Sequence, residues 1–169
     1  MKKLFLLLFM AIPVLANAQN DRITEICGVK FGTSYSSAKT TLEARFGKDE
    51  STNTDYLLFW EKSYAGISFD LIQFKFVASQ LNQVKFTIFS KTVQEARSER
   101  DKIVEILKRK YSLTQKTDDD GEISYRGGTS PLNDDKYGFF VYVQASSILE
   151  EYPFVTVLNY GPYGYGDEF

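Results

Sequence analysis

The chain has 169 residues, 43% of them apolar, and a formal net charge of −2. This length fits a single domain, and the slight acidity argues against nucleic acid as a partner, because nucleic-acid-binding surfaces are basic. The chain contains no histidine, which excludes Ser–His and Cys–His nucleophile pairs and removes the most common metal ligand and general base.

Residues 1–18 have the three parts of a secretory signal peptide. Lys2 and Lys3 form a positive start, an apolar run covers Leu4–Leu15, and Ala16–Ala18 is a small-x-small cleavage site. The apolar run is too short to span a bilayer comfortably, so an uncleaved membrane anchor is the less favoured alternative. We therefore expect a periplasmic or secreted protein that has no membrane span once the signal is removed.

The single cysteine, Cys27, follows the predicted cleavage site and lacks the small residues that precede a lipid-modified cysteine. It has no partner for an intramolecular disulfide, and neither a histidine nor a CxxC motif is present to lower its pKa. We expect Cys27 to be a small buried hydrophobic residue.

The first part of the mature chain predicts a strand, a helix and another strand. Thr24–Phe31 is a short strand, and the helix covers residues near 34–46. Gly32–Ser34 supplies a turn and an N-cap oxygen, and Gly47 is a C-terminal stop. Tyr56–Glu61 is the next strand. Apolar residues three and four positions apart define the buried helix face: Tyr35, Ala38, Leu42 and Phe46.

Ala65–Ser90 predicts a long antiparallel hairpin at the centre of the sheet, joined by the polar loop Ala78–Asn82. Apolar and polar residues alternate in both strands, as in half-buried strands. In the first strand the alternation changes phase at Leu71–Ile72, which predicts a β-bulge there. Because one face of this hairpin is polar, we expect helices on the other face.

The second part predicts a helix over residues near 92–111, followed by three strands. Thr92 and Glu95 have the spacing of a capping box, and Arg100 interrupts an otherwise apolar helix face. Lys116–Gly121 is a predicted turn. The three strands are a short one beginning at Ile123, then Tyr137–Ala145 and Tyr152–Tyr160.

This order of elements predicts an α+β fold built from a duplicated α-β-β-β unit. Residues 19–169 would form one domain with repeats over about 24–90 and 91–160, followed by a Tyr/Gly-rich C-terminal tail. We expect both helices to pack on one face of a mostly antiparallel sheet.

The segment Phe31–Ser34 (FGTS), followed by Ala38, Leu42 and Phe46–Gly47, resembles the opening of a group of secreted bacterial domains. These have the beta-lactamase-inhibitor-protein-like fold, and small outer-membrane assembly lipoproteins are related to them. Lys48 stands where those proteins often have proline, and their lipid-anchor cysteine is missing. The resemblance implies a non-enzymatic protein-binding module with two αβ repeats.

Three segments could suggest chemistry. Asp118–Glu122 resembles a calcium loop, but the loop positions that need carboxylates fall on Lys116 and Gly127, so a solvated turn is the better interpretation. The run Gly32–Ser36 resembles a nucleophile elbow but lacks the final glycine and a histidine base. Glu61 and Asp70 leave open a carboxylate-dependent enzyme that acts on glycans. We expect no metal and no cofactor.

The excess of aromatic residues is the remaining signal. Two strands have apolar residues at odd and even positions alike, so each places apolar side chains on both faces of the sheet. Helices would cover one face, and the other would present large side chains. The alternatives are that a loop or the tail covers this second face, or that the sheet closes on itself. The predicted binding residues are Trp60, Tyr125, Tyr142, Tyr163 and Tyr165.

The favoured function is therefore a non-enzymatic binding module that holds an envelope or secreted protein, or a peptide, on an aromatic sheet face. The alternatives are the glycan-acting enzyme and an envelope structural domain without a ligand.

Overall fold

A computed structural model describes residues 22–132 and 136–161. The predicted signal peptide and Tyr163 and Tyr165 of the tail lie outside these residues. Within them the chain forms two helices and nine strands: β1 (Glu25–Ile26), β2 (Val29–Lys30), α1 (Tyr35–Phe46), β3 (Tyr56–Tyr64), β4 (Ile67–Val77), β5 (Gln80–Ser90), α2 (Val93–Leu107), β6 (Leu113–Thr117), β7 (Ile123–Thr129), β8 (Tyr137–Ala145) and β9 (Phe154–Tyr160).

Seven of these strands form one antiparallel sheet in the order β3-β4-β5-β9-β8-β7-β6. The sheet consists of two meanders, β3–β5 and β6–β9, whose last strands pair at the centre. The prediction of an α+β fold with two helices and a large antiparallel sheet is confirmed.

Both helices contribute to one hydrophobic core on the same side of this sheet, here called the helix face. Leu42 and Phe46 of α1 and Ile103 of α2 belong to the same cluster as the sheet residues Phe59 and Phe86. Aromatic contacts cross this layer, since the Phe46 ring lies 5.4 Å from that of Phe59. Thr156 of β9 ties α2 to the sheet by donating a hydrogen bond of 2.6 Å to the Ala96 carbonyl.

The start of the described chain differs from the predicted single strand. Thr24–Phe31 contains the short hairpin of β1 and β2, whose two-residue turn is Cys27–Gly28. Both turn residues have positive φ angles, 56° and 83°. Such angles at both central positions are typical of a tight hairpin turn.

The region after α2 also differs. The helix ends at Leu107 and not near 111. A strand that the sequence does not predict, Leu113–Thr117, follows it and overlaps the first two residues of the predicted turn Lys116–Gly121. Four strands therefore follow α2 instead of three. The side chains of β6 are mostly exposed and polar because it is an edge strand, so it carries no apolar alternation to reveal it.

The change of phase predicted in the first strand of the central hairpin is present, but the register shift between β4 and β5 lies at Lys75/Phe76 and not at Leu71–Ile72. Phe69 and Ile72 both lie in the core, so the phase changes between them, at Asp70–Leu71. Regular pairing with β5 begins at Leu71, and the Asp70 carboxylate instead accepts a hydrogen bond of 2.7 Å from the Phe89 amide. In β3 the matching irregularity is Glu61, whose φ is 53°.

Candidate functional site: the far face of the sheet

The side of the sheet opposite the helices, here called the far face, has an apolar cluster of its own. Its buried members are Tyr142, Val155 and Val157, and Phe89 and Phe140 pack against them. This cluster is separate from the main core. The central strands are therefore apolar on both sides, which an ordinary half-solvated antiparallel sheet does not require.

Three aromatic side chains form a row across one end of the far face. Trp60 stacks on Phe89, with ring centres 6.2 Å apart and planes inclined by 15°. Phe89 in turn lies 6.4 Å from Tyr152, which is in the loop between β8 and β9. The Lys91 ammonium lies 5.5 Å from the Tyr152 ring centre, close enough for a cation–π contact. All three rings are only partly buried.

Backbone register arranges the remaining far-face side chains in lines that run across the strands. The line of Trp60 continues through Leu71, Thr87, Val157 and Tyr142. The next line contains Leu58, Gln73, Lys85, Asn159, Phe140 and Arg126. A third line contains Tyr56, Lys75 and Gln83. Because these partners are in register, the lines form one continuous surface.

Asn159 is the least expected residue of this surface. Its exposed fraction is 0%, yet neither its Oδ1 nor its Nδ2 has a hydrogen-bond partner among the described residues. A buried amide without partners costs about 1–3 kcal/mol, so Asn159 is an unsatisfied polar group within the far-face layer.

Positive charge lies on the Asn159 line and on the line next to it. Lys75, Lys85 and Arg126 lie on the far face, and the described residues of the three lines include no acidic side chain. The Arg126 guanidinium lies 4.6 Å from the Tyr137 ring centre, and its Nε is buried without a hydrogen-bond partner. The surface is thus aromatic at one end and basic at the other.

The predicted binding residues are distributed unevenly. Trp60 and Tyr142 lie on one far-face line. Tyr142 is buried, with an exposed fraction of 7%, whereas Trp60 is only partly buried. Tyr125 lies on the helix face, packed against the main core with the Arg100 guanidinium 5.9 Å from its ring centre, so the structure does not bring it together with the other two. Tyr163 and Tyr165 lie outside the described residues.

Sequence reasoning missed Phe89, Tyr152 and Asn159. Phe89 breaks the alternation of β5, and Asn159 is a polar residue in an otherwise apolar strand, so both carried a weak signal. Tyr152 carried none, because its position depends on how the loop after β8 folds over Phe89.

The acidic segment Asp118–Glu122 is engaged within the protein. The Asp118 carboxylate accepts hydrogen bonds from the amides of Asp120 and Glu122, at 3.1 and 2.7 Å. Glu122 forms ion pairs with Arg97 and Arg100, each at 2.7 Å. No group of three or more His, Cys, Asp or Glu side chains within the described residues could hold a metal ion.

The other candidates for chemistry are also engaged or inactive. Burial raises the pKa of the Cys27 thiol to about 12, an effect that the charge of Arg45 only partly offsets, so the nucleophilic thiolate is not formed at neutral pH. Asp70 is bonded to the Phe89 amide, whereas Glu61 is exposed. The Ser34 hydroxyl lies within hydrogen-bond distance of the hydroxyls of Ser36 and Ser37.

None of the family models, curated proteins and solved structures with which the chain was compared matches it. Among the described helices, neither is long and apolar enough to cross a membrane.

Proposed function

We propose that this protein is an exported, non-enzymatic binding module that holds a protein or peptide partner on the far face of its sheet. The observation that carries the proposal is the row Trp60–Phe89–Tyr152, which keeps large rings partly in water opposite the helix-covered side. Rings that serve only stability are normally buried in the core, and Phe86 on the helix face is an example, with an exposed fraction of 0%.

The chemistry of the far face suits a polypeptide ligand. Trp, Tyr and Arg are the residues most enriched among binding hot spots, and Trp60, Tyr152 and Arg126 all lie on this face or its rim. A partner with aromatic or aliphatic side chains and an acidic residue would complement the surface.

The state of the reactive groups supports a binding function over the glycan-acting enzyme. The retaining and inverting mechanisms both need two carboxyl groups placed on either side of a scissile bond. Asp70 is committed to a backbone hydrogen bond, and Glu122 to two arginines.

The topology supports the proposed duplication. Each meander is preceded by a helix that packs on the same face, and β5 and β9 occupy equivalent last positions and pair at the centre. In this proposal the extra strand β6 was added at the outer edge of the second unit. The shared architecture also fits the resemblance to tandem αβ binding domains. Export rests on the signal-peptide pattern of residues 1–18 alone.

A peptide selection tests the proposal. A displayed random-peptide library is selected on residues 19–161, and binding is followed by the fluorescence of Trp60, the only tryptophan. We expect selected peptides to change this fluorescence and to lose affinity for Tyr152→Ala by about tenfold or more. Tyr35→Ala is the matched control, because Tyr35 is a partly buried ring on the helix side. Peptides that bind both variants equally would contradict the proposal.

A further inference from the structure

We propose that the tip of the loop between β8 and β9, residues Ile148–Glu150, is the second half of the binding site. The first half is the aromatic row Trp60–Phe89–Tyr152. The partner segment that fits both halves carries an aliphatic or aromatic side chain next to a lysine or arginine. This inference deepens the proposed function and rests on it.

The tip presents two adjacent apolar side chains to water. Ile148 is 61% exposed and Leu149 is 38% exposed. Single exposed apolar residues are common on soluble proteins, and Val77 and Leu132 are such residues here. Ile148 and Leu149 differ from them because they are neighbours and belong to the same loop as Tyr152, so they extend an apolar patch that the row begins.

Hydrogen bonds keep the tip close to the row. The Tyr152 amide donates a hydrogen bond of 3.0 Å to the Leu149 carbonyl, which closes a turn over these four residues. The first and last Cα atoms of such a turn lie less than about 7 Å apart. Leu149 is therefore next to the last ring of the row.

The loop is held in one conformation before any partner binds. At its base the Ser146 amide donates a hydrogen bond of 2.9 Å to the Pro153 carbonyl. Lys91, which follows β5, forms an ion pair of 2.7 Å with Glu151 and lies 5.5 Å from the Tyr152 ring centre. A preorganised loop loses little conformational entropy on binding, so the tip is suited to recognition.

The surroundings of the row and the tip are acidic. Residues 60–62, 70, 89–95 and 146–153 include five acids and two bases: Glu61, Asp70, Glu95, Glu150 and Glu151 against Lys62 and Lys91. A partner with positive charge at this end of the sheet would be favoured, because complementary charge speeds association and excludes wrong partners.

Glu150 is the acid of the loop that a partner can use. The other acid of the loop, Glu151, is paired with Lys91. Glu150 is exposed and forms no ion pair with any described residue. A lysine or arginine beside the apolar anchor of the partner would pair with Glu150 while the anchor contacts Ile148 and Leu149. This basic residue is additional to the acidic residue that would face Lys75 and Arg126.

Peptides selected from a displayed random library on the full mature chain, residues 19–169, are the probe, and Trp60 fluorescence reports their affinity. Ile148→Ser and Leu149→Ser should each weaken binding by about fivefold to tenfold. Both replace exposed side chains, so the melting temperature should stay nearly unchanged. Val77→Ser is the matched control and should leave the affinity unchanged. Val77 is 51% exposed and lies beside the turn between β4 and β5, at the opposite end of β5 from Phe89.

Charge exchange tests the basic residue of the partner. We expect most selected peptides to contain lysine or arginine, and Glu150→Lys to weaken their binding by about fivefold, less at high salt. A peptide whose basic residue is replaced by glutamate should bind the natural chain more weakly and recover affinity for Glu150→Lys. Glu25→Lys, which changes an exposed acid of β1 outside the main sheet, is the control and should have no effect.

The outcomes separate this inference from the proposed function. Peptides that lose affinity for Tyr152→Ala but bind Ile148→Ser and Glu150→Lys like the natural chain would overturn the inference and leave the proposed function standing. Peptides that ignore Tyr152, or a selection that yields no binder, would contradict both. Vesicles of phosphatidylcholine and phosphatidylglycerol are the last probe. Sedimentation of the protein with these vesicles that Ile148→Ser abolishes would also overturn the inference, because the tip would then be a membrane contact.

Discussion

Trp60 and Phe89 stack with their ring centres 6.2 Å apart although β4 separates their strands. Between them, the Asp70 carboxylate of β4 accepts a hydrogen bond from the Phe89 amide, next to the point where pairing of β4 with β5 begins at Leu71. The side chains change face here: Trp60 and Phe89 lie on the far face, whereas Tyr64, beyond Glu61 with its positive φ, stacks on Phe86 of the helix face.

The two faces should respond differently to truncation. Phe86→Ala should cost about 3–5 kcal/mol of unfolding free energy, because it empties a fully buried site in contact with Phe69 and Tyr160. Trp60→Ala should cost about 1–2 kcal/mol, because part of the ring is already in water. Urea unfolding of both variants measures this. Equal losses of unfolding free energy would show that Trp60 is a core residue and not a surface residue available for binding.

The carboxyl group of Asp49 should make the free energy of unfolding depend on pH at low pH. Burial on its own would raise the pKa of this carboxyl, but hydrogen bonds from the Ser51 hydroxyl, the amides of Leu58 and Ser51, and the Lys39 ammonium lower it to about 2. The pKa in the unfolded chain is about 3.9, so the stabilisation is complete above about pH 4 and is lost as the pH falls through 2.

Asp49→Asn should therefore cost about 2 kcal/mol at pH 7 and almost nothing near pH 2. Unfolding free energies measured across this range test the sign as well as the size. Asp55→Asn, an exposed carboxylate of the same loop, is the control and should change neither. A cost for Asp49→Asn that does not depend on pH would contradict the assignment.

Arg100 should matter more than its neighbour Arg97. Its guanidinium is buried and bonds to Glu122, Asp101 and the Ile123 carbonyl. Arg100→Met should cost about 2–4 kcal/mol, because Glu122 and the carbonyl lose their buried partner. Arg97→Met removes an exposed contact to the same Glu122 and should leave the melting temperature nearly unchanged. Similar losses for both would show that the burial of Arg100 has no energetic effect.

The two helix N-termini offer a matched test of capping. Thr92 accepts a hydrogen bond of 3.2 Å from the Glu95 amide within a complete capping box, whereas Ser34 makes no side-chain cap bond. Thr92→Ala should therefore cost about 1 kcal/mol, and Ser34→Ala should cost clearly less. Thermal unfolding of the two variants measures both losses. A larger loss of stability for Ser34→Ala than for Thr92→Ala would contradict this prediction.

These examples show where the sequence was sufficient. The capping box of Thr92 and Glu95 was predicted because the pattern is local, and the phase change near Leu71 because period-two alternation is strong in long strands. Ser34 does occupy the N-cap position of α1, but its hydroxyl makes no cap hydrogen bond, since a suitable residue does not fix the rotamer of its hydroxyl. Strand β6 was missed because an exposed edge strand has no apolar pattern.

The candidate site was harder to predict because it depends on contacts between distant parts of the chain. Trp60 and Tyr142 both lie on the far face, but Tyr142 is buried there. The alternation of apolar residues alone could not show which face each side chain occupies, and Tyr125 lies on the helix face. Asn159 could not be recognised as unpaired without its neighbours, since its significance lies in the missing hydrogen bonds.

The central claim is that the far face binds a polypeptide, and site-specific photo-crosslinking tests it most directly. A benzoylphenylalanine side chain is placed at position 60 or, as control, at position 35, in cells that produce the protein. We expect one discrete adduct from position 60 that weakens with Tyr152→Ala, and no such adduct from position 35. The same adducts from both positions, or none from position 60, would contradict the account.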